Sequence, residues 1–243
     1  MFFSAYWEYY LMGIILLPGL ILAMYAQHKV SSTYSKYRKV MSQKQVTASD
    51  FLRSLLPTCD LGHITVKKVS GELTDYYDPR KEEICLSSGV YDSQSVASLG
   101  IACHELGHAL QKKEKYLPYQ IRHFLVPVTN IASTLLWPLV VIGLILNIGA
   151  TDGSLIGNIF LWSGIGFFGL AVIFNLATLP VEFNASKRAI SILQSTGTLN
   201  DEELEQTKEV LNAAALTYVA ALVVSILNFL RFLIVILGRS RRD

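Results

Sequence analysis

Charge is scarce in this chain. Only 16% of its 243 residues are Asp, Glu, Lys or Arg, against about 25% in ordinary soluble domains, which excludes a freely soluble globule and, with so many apolar residues beside it, a disordered chain. Neither sign dominates: the formal net charge is +2, so the composition offers no field for nucleic acid, and no nucleic-acid partner is expected. Cysteine is scarce as well. Cys59, Cys85 and Cys103 form an odd set without CxxC spacing, which excludes a disulfide framework and a thiolate zinc knuckle. No internal repeat or low-complexity segment is present. What the chain does have is apolar residues, 51% of the total, and a mean hydropathy of +0.38.

Those residues are gathered into runs. Crossing a bilayer takes about 20 consecutive predominantly apolar residues, and four runs qualify: Tyr9 to Ala26, Phe124 to Ile148, Leu155 to Leu179 and Ala213 to Leu237. The first lacks a basic segment before it and a small-residue cleavage site after it, and so reads as a retained anchor. The second and third, separated only by Gly149 to Ser154, read as a transmembrane hairpin. Arg231, close to the end of the fourth run, can snorkel toward headgroups. Nearly all the charge lies in two polar stretches, Gln27 to His123 and Glu182 to Asn212.

Basic residues near the span ends set orientation. Lys29, Lys36, Arg38 and Lys39 follow the first run, and Lys112, Lys113, Lys115 and Arg122 precede the second. Both polar stretches are therefore expected on the cytoplasmic side of a multi-pass protein of the cell membrane, with the lysines touching anionic lipid. Four full crossings would carry Arg239, Arg241 and Arg242 to the opposite side, against the same rule. The sequence leaves two arrangements open: an incomplete last crossing, or a large loop whose bias overrides a short tail.

The larger polar stretch has local signals. Thr47 with Asp50 three residues on predicts a capped helix through Phe51 to Leu56. His63 to Val69 alternates and is rich in β-branched residues, which predicts a strand; after the turn Asp78-Pro79-Arg80, Glu83 to Leu86 returns as a second. Ser93 to Gln111 predicts a helix. In the second stretch Asn200 and Glu203 repeat the capping pattern, Asp201, Glu202 and Glu203 suit the first turn, and that helix is expected to run on into the fourth span.

On the Ser93 to Gln111 helix stands His104-Glu105-Leu106-Gly107-His108, an H-E-x-x-H motif. Residues four apart share a helix face, so two imidazoles can reach one zinc ion while Glu105 lies beside them to take a proton from water. Five histidines and eleven glutamates in this length would produce the motif by chance only ~0.005 times. Catalytic zinc needs a third protein ligand and an open position. The metzincin solution is excluded, since Gln111 and Glu114 occupy the places of its glycine and last histidine. Cleavage inside the bilayer is disfavoured because Ser93 to Gln111 is too short and polar to span. A glutamate from a separate helix remains. Two runs separate His108 from Glu182, which returns Glu182 to the same membrane side, directly after Thr178-Leu-Pro180, where proline suits a helix's first turn. The less favoured reading of Glu182 is a first-turn acid that complements a helix dipole.

Further segments carry a resemblance. Thr74-Asp-Tyr-Tyr-Asp-Pro-Arg80, Leu86-Ser to Tyr91, Ser95-Val-Ala leading into His104-Glu-Leu-Gly-His-Ala-Leu-Gln111, Thr178-Leu-Pro-Val-Glu-Phe-Asn-Ala-Ser186 and Ala213-Ala-Ala-Leu-Thr-Tyr-Val-Ala220 resemble, in order and over nearly the whole chain, the membrane-bound neutral zinc metallopeptidases of the YugP type. The chain is similar, more distantly, to membrane gluzincins with an E-x-x-x-D run, where it carries Ser186 in place of the aspartate. The resemblance implies a zinc ion held by His104, His108 and Glu182, with Glu105 catalytic.

The expected fold is mainly α and membrane-bound, with about four transmembrane helices and a zincin-like cytoplasmic α+β part carrying a small sheet. Its expected parts are an anchor (1–26), the H-E-x-x-H part (27–123), a transmembrane hairpin (124–181), the third-ligand helix (182–212) and a last transmembrane helix with a basic tail (213–243). The expected activity is a zinc metalloendopeptidase cutting membrane proteins or peptides near the cytoplasmic face, with the lipid bilayer as its other partner. Arg188 and Tyr218, in segments flanking Glu182, are candidate donors to the oxyanion; Arg188 also reads as an ion-pair residue and Tyr218 as a packing one. The competing function is an inactive zinc-binding membrane scaffold. A transporter is disfavoured by runs nearly free of ionisable residues.

Overall fold

The computed structural model describes residues 13–147 and 154–240, the last three by backbone alone. It is mainly helical, with one small sheet: α1 (Leu17–Tyr37), α2 (Ala48–Thr58), β1 (Thr65–Val69), β2 (Tyr76–Asp78), β3 (Glu83–Ser87), α3 (Ser88–Tyr91), α4 (Val96–Lys113), α5 (Leu117–Leu146), α6 (Leu155–Ser195) and α7 (Asp201–Ser240). Three helices are long and apolar enough to cross a membrane among the described residues: α5, α6, and α7 over Asp201–Leu237. The start of the run expected at Tyr9 to Ala26 lies outside the described residues, as does nearly all of the loop expected at Gly149 to Ser154. The described part of that first run does not end at Ala26. It continues as α1 to Tyr37, because Thr33, Tyr34 and Tyr37 fall on one helix face and are buried.

The chain divides into two compact units. One comprises residues 26–120 and 179–217. The other comprises 121–178 and 218–240 with the described residues before 26, as far as these are described. Within the second unit, Leu161 and Ile165 of α6 pack with Ile236, Phe229 and Phe232 of α7. Large apolar side chains there, such as Phe124 and Leu155, are 72% and 77% exposed, an arrangement that suits lipid rather than water.

The first unit has a conventional core. Leu52 and Leu56 of α2, Ile84 and Leu86 of β3, Leu99 and Leu106 of α4, and Leu193 of α6 meet in it. Its helices begin where the capping signals stand: the Thr47 side chain accepts from the Asp50 N–H, and Asn200 and Glu203 bond each other's backbone N–H at 2.9 and 2.8 Å, the reciprocal pairing of a capping box. The other carboxylate oxygen of Glu203 accepts from the Gln43 N–H at 2.8 Å, tying the loop before α2 to the start of α7. Helix α4 begins at Val96 rather than Ser93, because Ser95 is its cap and accepts from the Ser98 N–H.

The sheet differs from the two-strand expectation. Asp78 accepts from the Arg80 and Lys81 N–H groups, closing a turn so tight that β3 pairs antiparallel with the strand immediately before it, Tyr76–Asp78. The strand expected from His63 then joins the other side of β3 in parallel. The order is β1-β3-β2, and β3 is the buried centre. Pro180 also departs from expectation. It lies inside α6, which carries the third apolar run and the polar residues after it as one 41-residue helix. One missing N–H there costs less than ending a helix packed on both sides of the proline.

Candidate metal centre

Two helices build the centre. Helix α4 supplies His104, Glu105 and His108; α6 supplies Glu182 and Ser186, one turn apart. They approach closely because of Gly107. A Cβ there would stand 2.8 Å from the Ala185 carbonyl oxygen and 3.1 Å from its Cα, backbone atoms that cannot rotate away. Gly107→Ala should therefore lower stability by about 1–3 kcal/mol and weaken metal uptake, read as a lower midpoint of thermal unfolding and a poorer result in chelator competition. Wild-type values for both would show that the helices have room to part. A second close approach anchors α4 on α7: a Cβ on Gly100 would meet the Thr207 methyl at 2.5 Å, and Thr207 is fully buried.

The side chains converge. Glu182 Oε2 lies 3.2 Å from His104 Nε2 and 3.7 Å from His108 Nε2, the two imidazole rings stand edge to face with centroids 4.8 Å apart, and the three potential ligand atoms all fall within 4.8 Å of one another. A four-coordinate zinc with bonds of about 2.0–2.1 Å holds its ligand atoms about 3.3 Å apart, so the spacing fits. The chemistry fits as well, because two nitrogens and one carboxylate oxygen form a zinc set that leaves a position open. Glu182 is 1% exposed, depth at which a carboxylate needs a cationic partner.

Each histidine also has its other nitrogen engaged. His104 Nδ1 lies 3.2 Å from Ser186 Oγ, and His108 Nδ1 lies 3.0 Å from Gln111 Oε1. Burial pushes the Glu105 carboxyl above the ordinary carboxylate range, with His108 and His104 pulling the other way. Burial opposes protonation of His108, but contact with Glu182 and the charge of Glu105 outweigh it and raise that group. Cys103, next to the motif, is fully buried in the core and its thiol is pushed up by burial, so it stays protonated and packs.

Of the other candidates, Arg188 lies on α6 with its guanidinium engaged: both terminal nitrogens bond the Glu114 carboxylate at 2.8 and 2.6 Å, and Nε bonds Asn184. Tyr218 is on α7, half-buried, at the start of the other unit. His63 pairs with Glu82 at 3.3 Å. Asn184 and Ser186 stand where the resemblance places the support of the zinc histidines, but the sequence did not show that Gln111 links Asn184 to His108 or that Glu114 holds Arg188. A signal for Gln111 existed, since it is three residues after His108 and therefore on its face of the helix.

A family model described as "Putative neutral zinc metallopeptidase" matches residues 12–237. A protein of Bacillus subtilis (strain 168) named "Putative membrane protease YugP" is 41% identical over 223 residues, covering 91% of this chain and 95% of that protein. No solved structure matches.

Proposed function

The chain belongs to the neutral zinc metallopeptidase family, and from that premise we propose that it is a zinc metalloendopeptidase of the cell membrane. The observation that carries this reading is the buried convergence of His104, His108 and Glu182 with Glu105 beside them on the same helix. His104, His108 and Glu182 would hold zinc. Bound there, zinc supplies Lewis-acid activation of water and of the scissile carbonyl. Glu105 takes the proton of the attacking water on a carboxylate oxygen and delivers it to the amide nitrogen that leaves, and its burial, which favours the protonated form, eases the uptake. The free edge of β2, the strand beside α4, would receive an extended substrate as an added strand. Arg188 and Tyr218 stay the candidate donors to the oxyanion.

Apolar stretches adjoin Glu182 on its N-terminal side and continue α7 beyond residue 217, which supports membrane proteins or peptides met close to the bilayer as the substrates. The basic residues flanking the runs support a reading in which the catalytic part faces the cytoplasm in a multi-pass chain. Purified in detergent, the protein should carry one zinc ion per chain by atomic emission and hydrolyse an unstructured reporter peptide only while loaded. A chain that takes up no zinc, or hydrolysis that survives complete metal removal, overturns the reading.

A further inference from the structure

We propose that Gln111 is a positioning residue that decides which nitrogen of His108 faces the metal, and that Arg188 dictates the orientation of Gln111 through Asn184. The inference rests on the zinc-site reading.

The groups at the far end have no choice of role. A carboxylate such as Glu114 only accepts, and a guanidinium only donates. With both terminal nitrogens on Glu114, Arg188 directs its Nε–H at Asn184 from 2.7 Å, so the amide oxygen of Asn184, not its NH₂, must face it. That same oxygen is 2.9 Å from the Gln111 side-chain nitrogen, and the Val181 carbonyl is 2.8 Å from it on the other side. Both neighbours accept, so Gln111 must turn its NH₂ toward α6, and both of its hydrogens are then used. Its oxygen is left facing His108 Nδ1 at 3.0 Å. An amide oxygen accepts only, which obliges Nδ1 to carry the hydrogen. A neutral imidazole protonated at Nδ1 has its lone pair at Nε2, the nitrogen turned toward Glu182.

Gln111 has no exposed surface, so bulk water cannot take its place at Nδ1. The two histidines are not treated alike. Ser186, opposite His104 Nδ1, is a hydroxyl that can donate or accept and leaves that ring undecided, whereas the polarity set at Glu114 and Arg188 reaches His108 without ambiguity. Metal-binding histidines commonly give this hydrogen to a carboxylate, a backbone carbonyl or water; here an amide does the work, and its direction is imposed from an ion pair.

The test uses the full chain in detergent micelles, labelled with [15N]histidine. In the wild type, His108 should show a hydrogen on Nδ1 held against solvent exchange, with and without zinc, and Nε2 as the nitrogen shifted by the metal. Gln111→Met keeps length and volume but removes the acceptor. It should release that hydrogen to solvent exchange and weaken zinc binding about 10–100-fold in chelator competition. Asn184→Asp still offers an oxygen to both donors and should do neither. His108 bound through Nδ1, or unprotonated there, overturns the inference from the wild type alone, whatever the variants do. So does wild-type zinc affinity in Gln111→Met, or a loss in Asn184→Asp equal to that in Gln111→Met, which would mean that the cluster acts by packing. A wild type that takes up no zinc counts against the zinc-site reading instead, and the metal-free spectrum still decides the protonation of His108.

Discussion

Glu105→Gln should leave zinc bound and the fold intact while lowering peptide hydrolysis about 10²–10⁴-fold, the range a positioned general acid–base contributes. The substitution keeps shape and volume at a site only 7% exposed, so no cavity forms. It also removes a carboxyl that burial already drives toward its neutral form, and the thermal midpoint should hold or rise. What is lost is the capacity to take a proton: an amide oxygen can orient water but cannot accept its hydrogen at neutral pH. Zinc content and turnover of a reporter peptide, measured on the same preparation, separate the two effects. Hydrolysis equal to wild type would sink the role assigned to Glu105, and loss of zinc together with activity would make Glu105 a determinant of the metal site.

Glu182→Gln should remove the metal. The carboxylate is 1% exposed and faces the Nε2 atoms of both histidines, so replacing it with a neutral amide takes away the one anionic ligand. Zinc affinity should fall by roughly 100-fold or more, beyond the 10–100-fold that outer partners of a metal site typically contribute. The metal-free protein should also lose stability, because breaking a buried charged contact from one side costs about 3–5 kcal/mol. Chelator competition and thermal unfolding without metal read the two losses separately. Glu205→Gln, on an exposed acid of α7 paired with Lys208, is the control and should keep zinc. Full zinc affinity in Glu182→Gln would place the third ligand elsewhere.

The comparison of these two residues shows how legible the site was. The H-E-x-x-H spacing carries its own geometry, because an α-helix puts residues four apart on one face whatever surrounds it. Thr47, Asn200 and Glu203 were equally readable, since a cap is a contact across three residues. Glu182 could be reached only by elimination and chain order, and the same position also admitted a reading as a first-turn acid. In the structure that alternative falls away, because Glu182 is well inside α6, more than two dozen residues past its start. Pro180 misled for a local reason: proline favours first turns, but packing of the flanking segments carries the helix through it.

Other features had no local signal. The short strand Tyr76–Asp78 exists because β3 needs a partner across the turn at Asp78, and three residues are too few for alternation to register. The continuation of α1 to Tyr37 depends on a core assembled from residues far along the chain.

By itself the sequence determined that this chain meets lipid, where its apolar helices lie, and that one helix presents two histidines and a glutamate as a metal-site face. These are properties of composition and of periodicities within a few turns. The tertiary structure alone decided which acid joins the histidines, how near α6 comes at Gly107, and how an ion pair at Glu114 and Arg188 orients Gln111 against His108. Each of these joins residues some 70 positions or more apart in sequence, and hydrogen-bond direction over such a distance is set by packing, which no local pattern encodes.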